Sequence, residues 1–278
     1  MSTPHSFIAS FLRTRLSILV SVAVIILISF SCKHAAAQIV TSQTPTSSEK
    51  QAQMFDPFWT PRTVRDEKAL KIIQKAASLM VSPSMATAGC TITASQVTTS
   101  TKGSSVSETV AWTVSGTEYV EDRRTDANNV IYNTNKGAPF LSHNGQQRSI
   151  PPHIAASLFS PSLAFRFLAL RLNDPSYSFE YRGSTTIGSE PVSVVLLISR
   201  ETRAIARATH QEWYFSESTG LPVRISYRLA DIHNPAITVE AIADLSGYRS
   251  ACGSLVPASA SITTGGTAQT LLTITSIQ

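Results

Sequence analysis

From Ser178 onward the sequence leaves little choice of fold class. It reads as seven successive β-strands: Ser178–Thr186, Glu190–Ser199, Ala206–Phe215, Leu221–Ala230, Ile237–Tyr248, Ser254–Thr263 and Thr267–Ser276. Turn chemistry separates them at Ile187-Gly188-Ser189, Ser216-Glu217-Ser218-Thr219-Gly220, Asn234-Pro235 and Gly265-Gly266. Strands joined by connections this short pair with their sequence neighbours, so the segment predicts an antiparallel meander.

Three further strand-like stretches lie upstream, Thr91–Thr101, Thr109–Val120 and Asn129–Tyr132. Two segments carry helical periodicity instead. In VRDEKALKIIQKAASLM, Leu70, Ile73, Ala77 and Met80 form one stripe, with Lys68, Lys71 and Lys75 off it. Asp66 and Glu67 suit the positive end of that helix, and Ser82-Pro83 stops it. The second helix is predicted over His153–Leu172, with Leu163, Ala164, Phe167 and Leu170 on its apolar side and Asn173-Asp174-Pro175 ending it. A one-faced helix needs an apolar surface to cover. The expectation is therefore an α+β domain: a curved antiparallel sheet, an incomplete barrel of about ten strands, with two helices on its concave side. A closed barrel would leave both helix stripes without a partner.

The N-terminus reads as an export signal. Arg13 and Arg15 precede the apolar run Leu16–Ser31, and Ala35 and Ala37 present the small side chains that signal peptidase needs, which predicts cleavage after Ala37. Two alternatives stand. The run falls slightly short of the roughly 20 residues of a bilayer span, so an uncleaved anchor is one. Lipidation at Cys32 is the other, although Phe30 is large for a lipobox. Residues 38–63 are rich in Ser, Thr, Gln and Pro and read as a flexible tether. Residues 64–278 then make a single domain in a periplasmic or secreted protein.

Removing 1–37 takes away Arg13, Arg15 and Lys33 and no acid, so 23 basic and 18 acidic residues become 20 and 18, and the net charge falls from +5 to +2. The basic character belongs largely to the signal. Arg123-Arg124 is the one basic doublet that remains, and Glu121 and Asp122 precede it. Nothing marks a phosphate-binding stripe, which argues against nucleic acid as a partner. Cys90 and Cys252 are left as a pair. A disulfide between them would close a long loop, worth about 4–5 kcal/mol on the chain-entropy model, and two buried free thiols are the alternative.

Little in the sequence suggests catalysis. There is no G-x-S-x-G elbow and no H-E-x-x-H pair. His210 and Glu212 share a face of a predicted strand about 7 Å apart, a spacing that suits a metal or an acid–base pair. No third ligand accompanies them, and a polar contact on a wet sheet face explains them better. His143 and His153 read as solvated, and Asp122, Asp126 and Asp174 as turn residues. The expectation is a protein that is not an enzyme and has neither cofactor nor metal.

The strands carry more information in their aromatic and aliphatic residues. Trp112 and Val114 share a face, as do Trp213 and Phe215, and as do Val223, Ile225 and Tyr227, with Arg224, Ser226 and Arg228 opposite. With Phe167 and Leu170 of the second helix, these are the candidate lining of a hydrophobic cavity between sheet and helices. A filled core built from the same residues is the alternative.

Glu212-Trp213-Tyr214-Phe215 followed by Thr219-Gly220-Leu221-Pro222-Val223-Arg224 resembles the strand–turn–strand of the LolA/LolB-like lipoprotein-localisation-factor superfamily, which also includes the RseB N-terminal domain. Tyr248-Arg249 with Gly253 and Leu255-Val256-Pro257 is similar to the next hairpin of that group, and Ala69–Ile73 to its first helix. The resemblance covers 64–278. It implies an incomplete barrel closed by helices around an apolar cavity, and binding of a lipid or a lipoprotein acyl chain. No residue matches a ligand-releasing arginine. The alternative function is an envelope interaction or sensor module that binds a protein partner. Membrane contact would come only through the uncleaved signal or lipidation.

Overall fold

The computed structural model describes residues 62–81, 90–115, 118–125, 129–133, 140–157, 160–231, 234, 236–251 and 253–278. The export signal over 1–37, all but the end of the tether over 38–63, the Ser82-Pro83 stop, Asp126 and Cys252 lie outside them.

Thirteen strands form one sheet: β1 (Cys90–Ser100), β2 (Ser105–Ser115), β3 (Glu118–Arg124), β4 (Asn129–Asn133), β5 (Phe140–His143), β6 (Gln146–Ser149), β7 (Tyr177–Ile187), β8 (Glu190–Ser199), β9 (Gln211–Ser216), β10 (Pro222–Ala230), β11 (Thr238–Ala251), β12 (Ser254–Thr264) and β13 (Ala268–Ile277). Every pairing is antiparallel. The order is β6-β5-β4-β3-β2-β1-β13-β12-β11-β10-β9-β8-β7. The sheet is thus two meanders joined where β1 meets β13, and it is open between β6 and β7, which are consecutive in the chain. The helical segment between them carries the chain from one edge to the other. This is the curved, unclosed sheet of the expectation, with three strands more than the sequence suggested.

The extra strands have local causes. Thr109–Val120 divides into β2 and β3, with Ser115 paired to Glu118. The short hairpin β5–β6 turns at Asn144-Gly145, both at positive φ. Its four-residue strands are too short to show a period.

The first helix, α1 (Glu67–Met80), buries Ala69, Ile73, Ala76, Ala77 and Met80. Fully burying Ile73 and Met80 stabilises the fold by about 1.5–3 kcal/mol each. Asp66 is its N-cap rather than a first-turn residue, its carboxylate accepting from the Ala69 N–H at 3.0 Å. The segment before it lies along β7, with Asp66 N–H donating to Phe179 O at 2.9 Å and Phe179 N–H to Val64 O at 2.8 Å. Across its other end α1 crosses the β9–β10 turn at Gly220, whose φ of +76° favours glycine and which faces the Lys75 and Leu79 side chains.

The predicted helix over His153–Leu172 is interrupted. It comprises α2 (Pro152–Ser157), a 3₁₀ turn over Pro161–Leu163 and α3 (Ala164–Leu172). Pro161 lacks an N–H and holds Ser160 extended, at φ −110° and ψ 122°, so the helix restarts there. A fourth helix, α4 (Arg203–Ala208), stands where the strand Ala206–Phe215 was expected, and the strand begins only at Gln211. Thr202 caps it by accepting from the Ile205 N–H at 3.2 Å. At the far end the Thr209 hydroxyl donates to Ile205 O at 2.7 Å. Its Ala206 covers Leu196 and Ile198 on the outer face of β8.

Candidate functional site

Register decides what faces the interior. Trp112 and Val114 of β2, Trp213 and Phe215 of β9, Ile225 and Tyr227 of β10 and Phe167 of α3 all belong to one continuous buried cluster. That brings together seven of the nine candidate lining residues. Phe167 stacks on Trp213 with ring centroids 6.0 Å apart, and Trp213 on Phe215 at 6.1 Å, both at 16° between planes. Tyr177 meets Phe167 edge-on at 6.1 Å and 81°. The indole N–H of Trp213 donates to Gln211 Oε1 at 2.9 Å, so its one polar atom is satisfied inside the core.

The other two candidates stand outside this cluster. Val223 is half-buried because a bulge between Pro222 and Arg224 breaks the alternation: Pro222 pairs with Phe215 and Arg224 with Tyr214, which leaves Pro222 as the inward residue. Leu170 is half-buried on α3, and Leu163, Ala164 and Leu168 bury beside Phe167 instead.

Beyond Trp112 the inner face changes character. One rung runs Ile92–Trp112–Glu121–Tyr132–Leu141–Arg148 across β1 to β6, and the next runs Ala94–Val110–Arg123–Val130–His143–Gln146. Glu121 is only 6% exposed. It accepts from the Trp112 indole N–H at 2.8 Å and from Arg123 Nε at 2.6 Å. Tyr227, on the opposite wall, responds to both charges: burial pushes its hydroxyl well above the usual range, Arg123 pulls it down and Glu121 pushes it up. Reading Glu121 to Arg124 as a basic doublet preceded by acids missed this pair. The signal was alternation: Glu121 and Arg123 share one face of β3, Asp122 and Arg124 the other. Asp122, expected in a turn, lies mid-strand and pairs with Arg124 on the outer face. Asp174 does sit in a turn, where it accepts from the Ser176 N–H at 3.0 Å.

On the outer face, His210, Glu212, Ser226, Arg228, Thr238 and Glu240 border a polar cleft of about 360 Å³. Burial, then Arg228, hold the His210 imidazole below its ordinary pKa, against the pull of Glu212. His210 precedes β9 rather than standing in it. Glu212 accepts from the Tyr214 hydroxyl at 3.1 Å and Glu240 from Ser226 at 3.0 Å, the polar contacts of a wet sheet face. Among the described residues no three His, Cys, Asp or Glu side chains converge as metal ligands. His143 ends β5 and His153 lies in α2, its Nε2 3.0 Å from Asp231 O. Cys90, at the start of β1, is disulfide-bonded, and Cys252, its expected partner, is outside the described residues.

The segments that carried the family resemblance are neighbours in space. Those of the two hairpins fall on β9, β10, β11 and β12, where the Tyr248 hydroxyl donates to Pro222 O at 2.6 Å, and Ala69–Ile73 lies on α1, which packs on the same cluster.

No protein-family model and no curated protein matches the sequence. Solved structures do. A LolA superfamily protein from Nitrosomonas europaea superposes with a TM-score of 0.52 at 10% identity, over 76% of this chain and 92% of that one. A putative outer membrane lipoprotein-sorting protein domain from Vibrio parahaemolyticus gives 0.53 at 11%, over 76% and 92%. A DUF1329 family protein from Desulfovibrio piger gives 0.54 at 10%, over 78% and 93%. At these identities the likeness speaks for architecture alone, and it agrees with the open sheet and its covering helices. The chain has the fold of the LolA superfamily.

Proposed function

We propose that this chain is an exported, non-catalytic envelope protein that holds a lipid, a lipoprotein acyl chain or another apolar ligand between its curved sheet and the helices α1 and α3. One observation carries the reading: the largest apolar cluster is shared between the sheet's inner face and both helices, in a sheet left open between β6 and β7. The residues flanking α1 bridge to β7 and β12, whereas α3 packs on the sheet through side chains, so a ligand can enter beside α3 without breaking a backbone ladder. An acyl chain gains about 0.8 kcal/mol per buried methylene, which works against the cost of parting the packed faces. The export signal and polar tether read in the sequence suit such a carrier in the periplasm or outside the cell.

The test is native mass spectrometry of protein purified after expression of the full chain, together with uptake of a fluorescent fatty acid. A co-purified lipid, or saturable uptake lost in Phe167→Asp, supports the proposal. Protein free of lipid that takes up none overturns it.

A second reading has its own support. Phe167, Trp213 and Phe215 stack on one another, as in a filled core, which suits an envelope interaction module that recognises another protein. It predicts capture of one defined envelope protein by the purified chain, with no lipid bound. Neither reading uses His210 chemically, so His210→Ala should leave binding unchanged in both.

A further inference from the structure

We infer that the concave face of β3–β6 receives the headgroup of the ligand and that this headgroup is anionic, a carboxylate or a phosphate ester. The inference rests on the apolar-ligand reading above. Its basis is the cross-strand register, which places Glu121, Arg123, His143 and Arg148 on the same face as Trp112. That face continues the apolar cluster without a break, because Trp112 belongs to the cluster and donates to Glu121.

The charge on the face is unbalanced. Glu121 is its one carboxylate within β3–β6, against two guanidinium groups and an imidazole. Both Glu121 oxygens are engaged by internal donors, so the carboxylate holds Arg123 in place rather than repelling an incoming anion. The Arg123 side chain remains 31% exposed, and Arg148 is exposed on the edge strand. The outer face of the same strand differs: there Asp122 and Arg124 balance each other. Glu108, the next inner-face position of β2 beyond Val110, accepts from Gln96 Nε2 at 3.0 Å. A guanidinium recognises a carboxylate or phosphate by paired, charge-assisted hydrogen bonds, which a neutral ester cannot reciprocate. An amphiphile would thus lie with its chain toward Trp213 and Phe167 and its acid toward Arg123 and Arg148.

Calorimetric binding of palmitate, 1-palmitoyl glycerol phosphate and neutral 1-palmitoyl glycerol, each below its micelle concentration, tests this on protein purified after expression of the full chain. The expected result is at least about tenfold tighter binding of one or both acids than of the neutral glyceride. Arg148→Gln and the paired change Glu121→Gln/Arg123→Gln should each reduce that preference. Preference for palmitate alone assigns a free fatty acid, and preference for the phosphate assigns a phospholipid. Equal binding of all three overturns the headgroup assignment and leaves the apolar-ligand reading standing, whereas no binding of any removes both. Should the paired variant fail to fold, the exposed Arg148→Gln decides alone: an undiminished preference in it overturns the inference.

Discussion

The strands β7–β13, β1 and β2 and the strands β3–β6 share one sheet and differ in how their inner faces are stabilised. Under β7–β13, β1 and β2 the inner face is a continuous apolar cluster, closed by α1 and α3, in which Trp213 and Phe179 are fully buried. On β3–β6 the buried residues Glu121 and Leu141 stand outside that cluster, and a carboxylate bonded to an indole and a guanidinium replaces ring-on-ring packing. The first kind of face gains stability from area removed from water. The second depends on every polar atom keeping its partner. The difference teaches where to look for rigidity: the apolar half is held by packing, and the polar half by a few hydrogen bonds that must all be kept.

Truncation tests this contrast most severely. Trp213→Ala should cost about 3–5 kcal/mol in urea unfolding, and Leu141→Ala only about 2, since a cavity at the margin collapses more easily. Equal losses would break the distinction between the halves. Next comes the polar pair. Glu121→Ala strands the Trp112 N–H and the Arg123 guanidinium and should cost about 2–3 kcal/mol, whereas Asp122→Ala on the outer face should cost less than about 1. If Asp122→Ala proves the worse, the inner pair is not what stabilises this arm. Gly220→Ala probes the contact of α1 with the sheet. It places a side chain at positive φ with its Cβ 2.9 Å from Lys75, so a loss of about 1–3 kcal/mol is expected in thermal unfolding. A neutral outcome would mean that α1 shifts freely on the turn beneath it.

The smallest effect concerns pH and the outer face. Because burial depresses the His210 pKa in the fold, the neutral imidazole is the form that the fold favours. Its contribution is present above the unfolded value near 6.5 and is lost as the pH falls through the folded value. An NMR titration should find the His210 midpoint below about 6.5, and His210→Gln should flatten the acid side of the stability profile. A midpoint at or above that value would show the cleft to be wetter than its geometry indicates.

Much of this was legible in the sequence, for identifiable reasons. Glu190–Ser199 was read to the residue because Gly188 and Arg200 bound a run with no competing period. Yet the same run, VSVVLLIS, is apolar on both faces, and that was the overlooked sign of α4: Leu196 and Ile198 needed a cover, and RAIARA supplies it. The inward aromatics Trp112, Trp213 and Phe215 followed from alternation alone. Val223 did not, since a bulge is set by how two strands meet and leaves little trace in either.

What the sequence determined by itself is what short range controls: turns at glycine, alternation along strands and the stripe of α1. Tertiary structure alone decided that β1 pairs with β13, which opens the sheet between β6 and β7, and that Trp112, Glu121, Arg123 and Tyr227 share one interior. The physical reason is range. A period of two residues says which side chains lie on one face of a strand, but pairing between residues as distant in the chain as Thr98 and Thr270 is chosen by the burial and hydrogen bonding of the assembled sheet.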